Sequence, residues 1–278
     1  MQLEYFVFSD ESGIHGQDAR HCLVTGYIGT PKQWELLNAA WHKTLDKYQV
    51  SRFHAWEFFA RDKRGLRVGP YKGWSDVTGQ RFLLRLCGII NKRGLKVLGA
   101  GVDTQAFNRL TRGERQHLTG GFYYIPHGKF LRSGAPTKPY YLALQQLVLE
   151  AFQQSADGSI IHFILDRQKL LGARARELIK DMELVASNVS QSVLGDRKVG
   201  LIGHRSSAGF PPLQAADLHV NSWYGFYQRG ADNMSNDRIL AMNELALKRP
   251  AIKTFHESAI EAELAKIPAE IRERLKRL

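Results

Sequence analysis

Residues 5–13 read YFVFSDESG: four apolar or aromatic residues, a serine, two adjacent carboxylates, and then Ser12-Gly13. The run has the make-up of a buried strand, and the Ser-Gly pair after it allows the backbone to turn tightly. Acids at the tip of such a strand stand where α/β proteins often place their chemistry. On an extended strand Asp10 and Glu11 point to opposite faces, so only one can lead. Asp10 is the expected leader, with Glu11 as a supporting or alternative ligand.

Working outward, HCLVTGYIGT (21–30) reads as a second strand, joined to the first as a hairpin through GIHGQDAR. Thr30-Pro31 then opens a helix with Trp34, Leu37, Trp41 and Leu45 on its apolar side. FHAWEFFA (53–60) is a short strand-to-helix or helical segment. QRFLLRLCGIINKRG (80–94) is an amphipathic helix closed by Gly94, and LKVLGAGVD (95–103) a strand ending in Asp103. KPYYLALQQLVLEAFQQS (138–155) is a long helix, and SIIHFILD (159–166) is an apolar strand ending in Asp166. RARELIKDMELVASNVS is helical, and Pro212 opens a further helix, LQAADLHVNSWYGFYQRG. The last stretch, IEAELAKIPAEIRERLKRL, is helical with a break at Pro268.

This order predicts an α/β protein with helices on a sheet. At 278 residues the chain is near the upper size for one core. It is expected to form one domain over 1–230, with insertions near 60–75 and 111–140. A helical C-terminal extension, 231–278, would pack on the same domain.

The charge balance narrows the partner. Thirty-nine Lys and Arg against 27 Asp and Glu give a formal net charge of +12. Such an excess favours a polyanion, most often nucleic acid, although basic surfaces also occur without one. The apolar runs are too short to span a bilayer and no secretion segment is evident, so a cytoplasmic protein is expected. Cys22 and Cys87 lie far apart in apolar surroundings and read as buried thiols.

Carboxylates converging at a sheet edge repel, by about 4 kcal/mol per pair at about 4 Å and an effective dielectric near 20. Protons or a divalent cation relieve that cost. Hard oxygen ligands select Mg²⁺ or Mn²⁺, and two such ions can stabilise both the attacking and the leaving oxygen of a phosphodiester. Asp10, Asp166 and Asp217 are the candidate metal ligands; Asp103, also at a strand end, is a weaker candidate, since such an Asp commonly starts a turn. Gln214 lies three residues before Asp217 and shares its helical face. His54 and Glu57, also three apart, offer a further acid and a proton-handling imidazole if helical; a hydrogen-bonded His and a surface Glu are the bland alternative. His204 is a second candidate for proton relay.

Two loops fit a polyanion. ARDKRGLRVGPYKGW (60–74) carries Arg61, Lys63, Arg64, Arg67 and Lys72 with Tyr71 and Trp74 between them. TRGERQHLTGGFYYIPHGKFLRSGAPTKPYY (111–141) repeats the mixture. Cations for phosphates and aromatics for bases make a nucleic-acid-binding pattern. GHRSSAG (203–209) adds His204, Arg205 and serines just ahead of the Asp217 helix.

With Asp10-Glu11-Ser12-Gly13 at one end and Gln214-Ala215-Ala216-Asp217-Leu218 at the other, the chain resembles a large prokaryotic family catalogued as domain of unknown function 3800. HAWEF and FILD lie between the two motifs, and the likeness spans roughly residues 5–228. The resemblance implies a ribonuclease H-like mixed sheet flanked by helices. It implies Asp10, Asp166 and Asp217 as metal ligands, with Glu11 and Glu57 beside them, and nuclease-like chemistry. The expected function is therefore divalent-metal-dependent hydrolysis of RNA or DNA. The alternatives are a nucleic-acid-binding module without turnover, and a metal-dependent hydrolase of a small phosphorylated molecule. A homo-oligomer is compatible with each of these readings.

Overall fold

The expected hairpin is present. β1 (Glu4–Ser12) and β2 (His21–Gly29) pair antiparallel, with Asp10 opposite Thr25. Gly13 closes β1 at φ +81°, and a Cβ there would stand 2.0 Å from the carbonyl oxygen of His21. Only glycine fits both the left-handed backbone and the close approach. The computed structural model describes residues 2–14, 19–120, 122–125, 129–132, 137–167, 171–189, 197–230, 234–246 and 252–277, with backbone alone at 122–125, 129–132, 184–189, 229 and 274.

β3 (Lys96–Asp103), β6 (Ile160–Asp166), β7 (Lys198–Arg205) and β8 (Lys253–Phe255) complete one six-stranded sheet in the order β7-β6-β1-β2-β3-β8. β2 and β3 pair antiparallel; β6 runs parallel to β1, β7 to β6, and β8 to β3. The sheet is thus mixed, and helices cover both faces. β4 (Phe122–Ile125) and β5 (Lys129–Arg132) form a separate two-stranded hairpin within the 111–140 insertion.

Alternation along the strands divides the core. Val7, Val24, Ala100, Phe163 and Leu165 face α6 (Pro139–Gln154) and α7 (Gly172–Val189). Phe8, Tyr27 and Ile164 face the other layer: α1 (Pro31–Lys47), α2 (Ala55–Phe59), α3 (Asp76–Asn91), α8 (Pro211–Arg229) and α9 (Asn236–Ala246). Local signals set these helices. At α1, the Thr30 side chain accepts from the Gln33 amide while Gln33 Oε1 accepts from the Thr30 amide at 2.8 Å, with Pro31 at the first turn. Cys22 and Cys87 are buried thiols, as expected.

Two features depart from the sequence reading. The stretch before Pro211 contains β7, an edge strand with most of its residues exposed or half-buried, so no apolar run marked it. The C-terminal segment is helical in α9, α10 (Glu257–Ala265) and α11 (Ala269–Lys276), but it also supplies β8 to the main sheet. The expected break at Pro268 falls between α10 and α11. Among the described residues no helix is long and apolar enough to cross a membrane.

Candidate metal centre

The parallel register between β1 and β6 runs to Ser9↔Leu165, so the next residues on the two strands are Asp10 and Asp166. By alternation both share the face of Phe8 and Ile164, beneath α8. Glu11 leaves β1 on the other face, yet its carboxylate reaches the same place because the β1–β6 ladder has ended. One ligand oxygen from each of Asp10, Glu11 and Asp166 lies within 4.8 Å of the others.

Asp10 is buried, and its Oδ1 accepts from the Glu11 amide at 2.8 Å. Its carboxyl is held well above the usual range, first by burial and then by the charges of Glu11, Asp217 and Asp166. Asp166 is oriented from behind: the Ser207 amide donates to its Oδ1 at 3.0 Å.

Asp217 lies on the buried face of α8, outside the group of three. Its Oδ2 accepts from the Ala55 amide and its Oδ1 from Asn221 Nδ2, both at 2.7 Å. Burial raises its carboxyl to about 6; the Ala55 amide, His54 and Asn221 act against that, while Asp166 adds to it. The four acids therefore form one electrostatic unit, with three carboxylates close together and Asp217 outside that group.

The other expected residues divide. His54, half-exposed, precedes α2 and lies near Asp217, with Nδ1 3.9 Å from Glu57 Oε1. Glu57 is engaged by Arg52 at 2.7 Å, so it stands with His54 and Arg52 and not among the three close acids. His204 is held at the rear, its Nε2 3.0 Å from the Gly172 carbonyl oxygen. Asp103 is excluded from the cluster by register: it pairs with His21 and caps α4 (Thr104–Arg109), accepting from the Gln105 and Ala106 amides. Asp166 is the second acid beside Asp10.

The basic loop is divided in the same way. Arg61 and Arg67 form an isolated antiparallel bridge, and both guanidinium groups engage the buried Asp237 of α9, Arg67 at 2.7 Å. Arg67 also lies 4.5 Å above the Phe58 ring. These two arginines hold the fold and are not available to phosphate. Lys63 and Arg64, at the tip between them, are exposed, as are Lys72 and Arg205; Arg205 pairs with Asp166 across β6 and β7. Tyr71 and Trp74 pack around Phe82 in the core layer. In the second loop, residues 112–118 form helix α5, and Tyr140 and Tyr141 are buried in α6. The side chains of 121–136 lie outside the described residues.

Gln214 has a role that shared helical phase alone did not reveal. Its Oε1 accepts from Trp41 Nε1 at 2.9 Å and from the Phe53 amide at 3.0 Å, while its Nε2 donates to the Ser207 carbonyl at 3.0 Å. It links the segment that holds Asp217 to the loop that holds Asp166. Asn221, four residues after Asp217, was legible as an i, i+4 partner.

Comparison of the sequence with protein-family models gave no match, and comparison with curated proteins gave none either.

Proposed function

We propose that this protein is a divalent-metal-dependent nuclease. The observation that carries the reading is the meeting of Asp10, Glu11 and Asp166 within 4.8 Å, around a buried acid that has an excess of neighbouring negative charge. The donor set consists of carboxylate oxygens, which suits Mg²⁺ or Mn²⁺ better than ions that seek thiolate or imidazole. Asp10, Glu11 and Asp166 would hold one ion, and Asp217 is the residue suited to serve a second.

The strand order supports a finer assignment. Three antiparallel strands followed by two parallel ones on the β1 side, with acids on the first strand, a later strand and a late helix, fit the ribonuclease H-like arrangement. That is also the arrangement implied by the likeness to the domain of unknown function 3800 family. A bound divalent ion would supply Lewis-acid stabilisation of the phosphodiester and an activated water. The chain's own residues orient the site: the Ser207 amide fixes Asp166, while Ala55 and Asn221 fix Asp217. His54, half-exposed beside Asp217, is the imidazole placed to exchange a proton with solvent. Lys63, Arg64, Lys72 and Arg205 supply exposed positive charge for the phosphate backbone.

The test is cleavage of labelled single- and double-stranded RNA and DNA with Mn²⁺, Mg²⁺ or EDTA, using wild type, Asp10→Asn and Asp166→Asn. Metal-dependent cutting lost in both variants is the expected result. Salt-sensitive binding by all three proteins without cutting would overturn the nuclease reading in favour of a binding module.

A further inference from the structure

Four of the five tryptophans have partners within the fold, Trp34 and Trp41 buried and Trp74 and Trp223 half-buried. Trp34 and Trp41 donate their indole N–H groups inside the fold, Trp74 packs on Phe82, and Trp223 packs on Phe226 and Tyr227. Trp56 differs: it is 67% exposed, and its indole has neither a ring partner nor a hydrogen bond among the described residues. Its position is not arbitrary. Ala55, the preceding residue, donates its amide to Asp217, so the Trp56 backbone begins one residue from the acid unit. α2 is anchored by Ala55, Phe58 and Phe59, which are buried, so Trp56 projects from a fixed turn.

The surroundings carry the complementary charge. α2 runs directly into the bridged hairpin whose base is pinned to Asp237 by Arg61 and Arg67 and whose tip exposes Lys63, Arg64 and Leu66. In chain order, this large, unpartnered aromatic surface of Trp56 follows the residue that contacts Asp217 and precedes a cationic turn pinned at its base, a succession that suits a ligand with alternating phosphates and flat bases. Stacking needs a base face free of its neighbours, which a single strand offers and an intact duplex does not.

We propose that Trp56 is a stacking platform for an unpaired base of a single-stranded nucleic acid, positioning that strand beside the carboxylate cluster. The proposal rests on the nuclease reading for its choice of ligand. It makes single-stranded or locally opened nucleic acid the substrate class.

The experiment measures binding of fluorescein-labelled oligothymidylate, and of a blunt DNA duplex, by anisotropy in EDTA. The proteins are wild type, Trp56→Ala, Trp56→Phe and, as a control, Leu3→Ala, which removes an exposed apolar residue ahead of β1 at the opposite end of that strand. Trp56→Ala is expected to weaken single-strand binding by roughly 5- to 150-fold, with Trp56→Phe within about threefold of wild type. Duplex binding should change far less, and Leu3→Ala should match wild type. Single-strand binding by Trp56→Ala equal to wild type overturns the platform, as does an equal loss on single strand and duplex. Cleavage in Mn²⁺, measured separately on wild type and Asp10→Asn, distinguishes the two readings. Loss of the platform with cutting intact leaves the nuclease standing. Wild type that neither binds nor cuts removes both.

Discussion

Gln214 and Asp217, one helical turn apart on α8, accept hydrogen bonds from alternate backbone amides of a single segment, Phe53 and Ala55. The pair thus grips an extended stretch of chain along one edge and fixes where His54, Trp56 and Glu57 stand. The glutamine faces inward to Trp41 and the Ser207 loop, whereas the aspartate faces the acid unit.

Gln214→Met keeps the volume but strands the Trp41 indole N–H and the Phe53 amide. Each buried unsatisfied donor costs about 1–3 kcal/mol, so a loss of about 2–6 kcal/mol is expected in urea unfolding. Asp166 would also lose its brace, because the Ser207 loop is held by Gln214. A variant as stable as wild type would show that the grip contributes little.

Asp217 predicts a pH dependence whose sign is fixed. Its folded carboxyl titrates at about 6 because of burial. An unfolded aspartate titrates near 3.9, so between about pH 4 and 6 the folded state holds a proton that the unfolded state releases. The associated stability is complete below about pH 4 and is lost as pH rises through about 6. In EDTA, wild type should therefore fall relative to Asp217→Asn by up to about 3 kcal/mol between pH 4 and 7. Urea titrations across that range check the slope; a constant or inverted difference would contradict the assignment.

Asp103→Ala separates a capping acid from a liganding one. Loss of the α4 cap is expected to cost about 1 kcal/mol. Mn²⁺-induced stabilisation, read from the thermal midpoint, should persist in Asp103→Ala and disappear in Asp10→Ala. Loss of the metal response in both variants would place Asp103 in the site after all.

Asp237→Ala leaves the Arg61 and Arg67 guanidinium groups without their shared carboxylate. Breaking a buried pair in this way costs about 3–5 kcal/mol, and α9 should loosen from α3 and α8. Hydrogen exchange would locate the change. Protection in α9 equal to wild type would mean that apolar contacts hold it without the ion pair.

β1 and β6 were legible because each is an apolar run that stops at an acid. That Asp10 stands beside Asp166, however, follows from strand register, which no local pattern near residue 10 or residue 166 encodes. The same limit governed the basic loop. Arg67 and Arg64 look equivalent in sequence, but the partner that buries Arg67 lies 170 positions away at Asp237. β7 and β8 escaped because edge strands need little apolar content, and β8 is only 3 residues long. Asp103 illustrates the converse: its capping chemistry is local, set by the amides of Gln105 and Ala106 just after it.

The acids of the cluster lie far apart along the chain, and this gives the molecule an order of events during its synthesis. Asp10 leaves the ribosome early, but α8 and the loop that braces Asp166 follow only after some two hundred further residues. At about 5–20 residues per second, that interval is roughly 10–40 s. Throughout it the nascent polypeptide has no assembled acid centre. The cluster therefore cannot close around Asp10 before Asp166 and the segment that braces it have both been made.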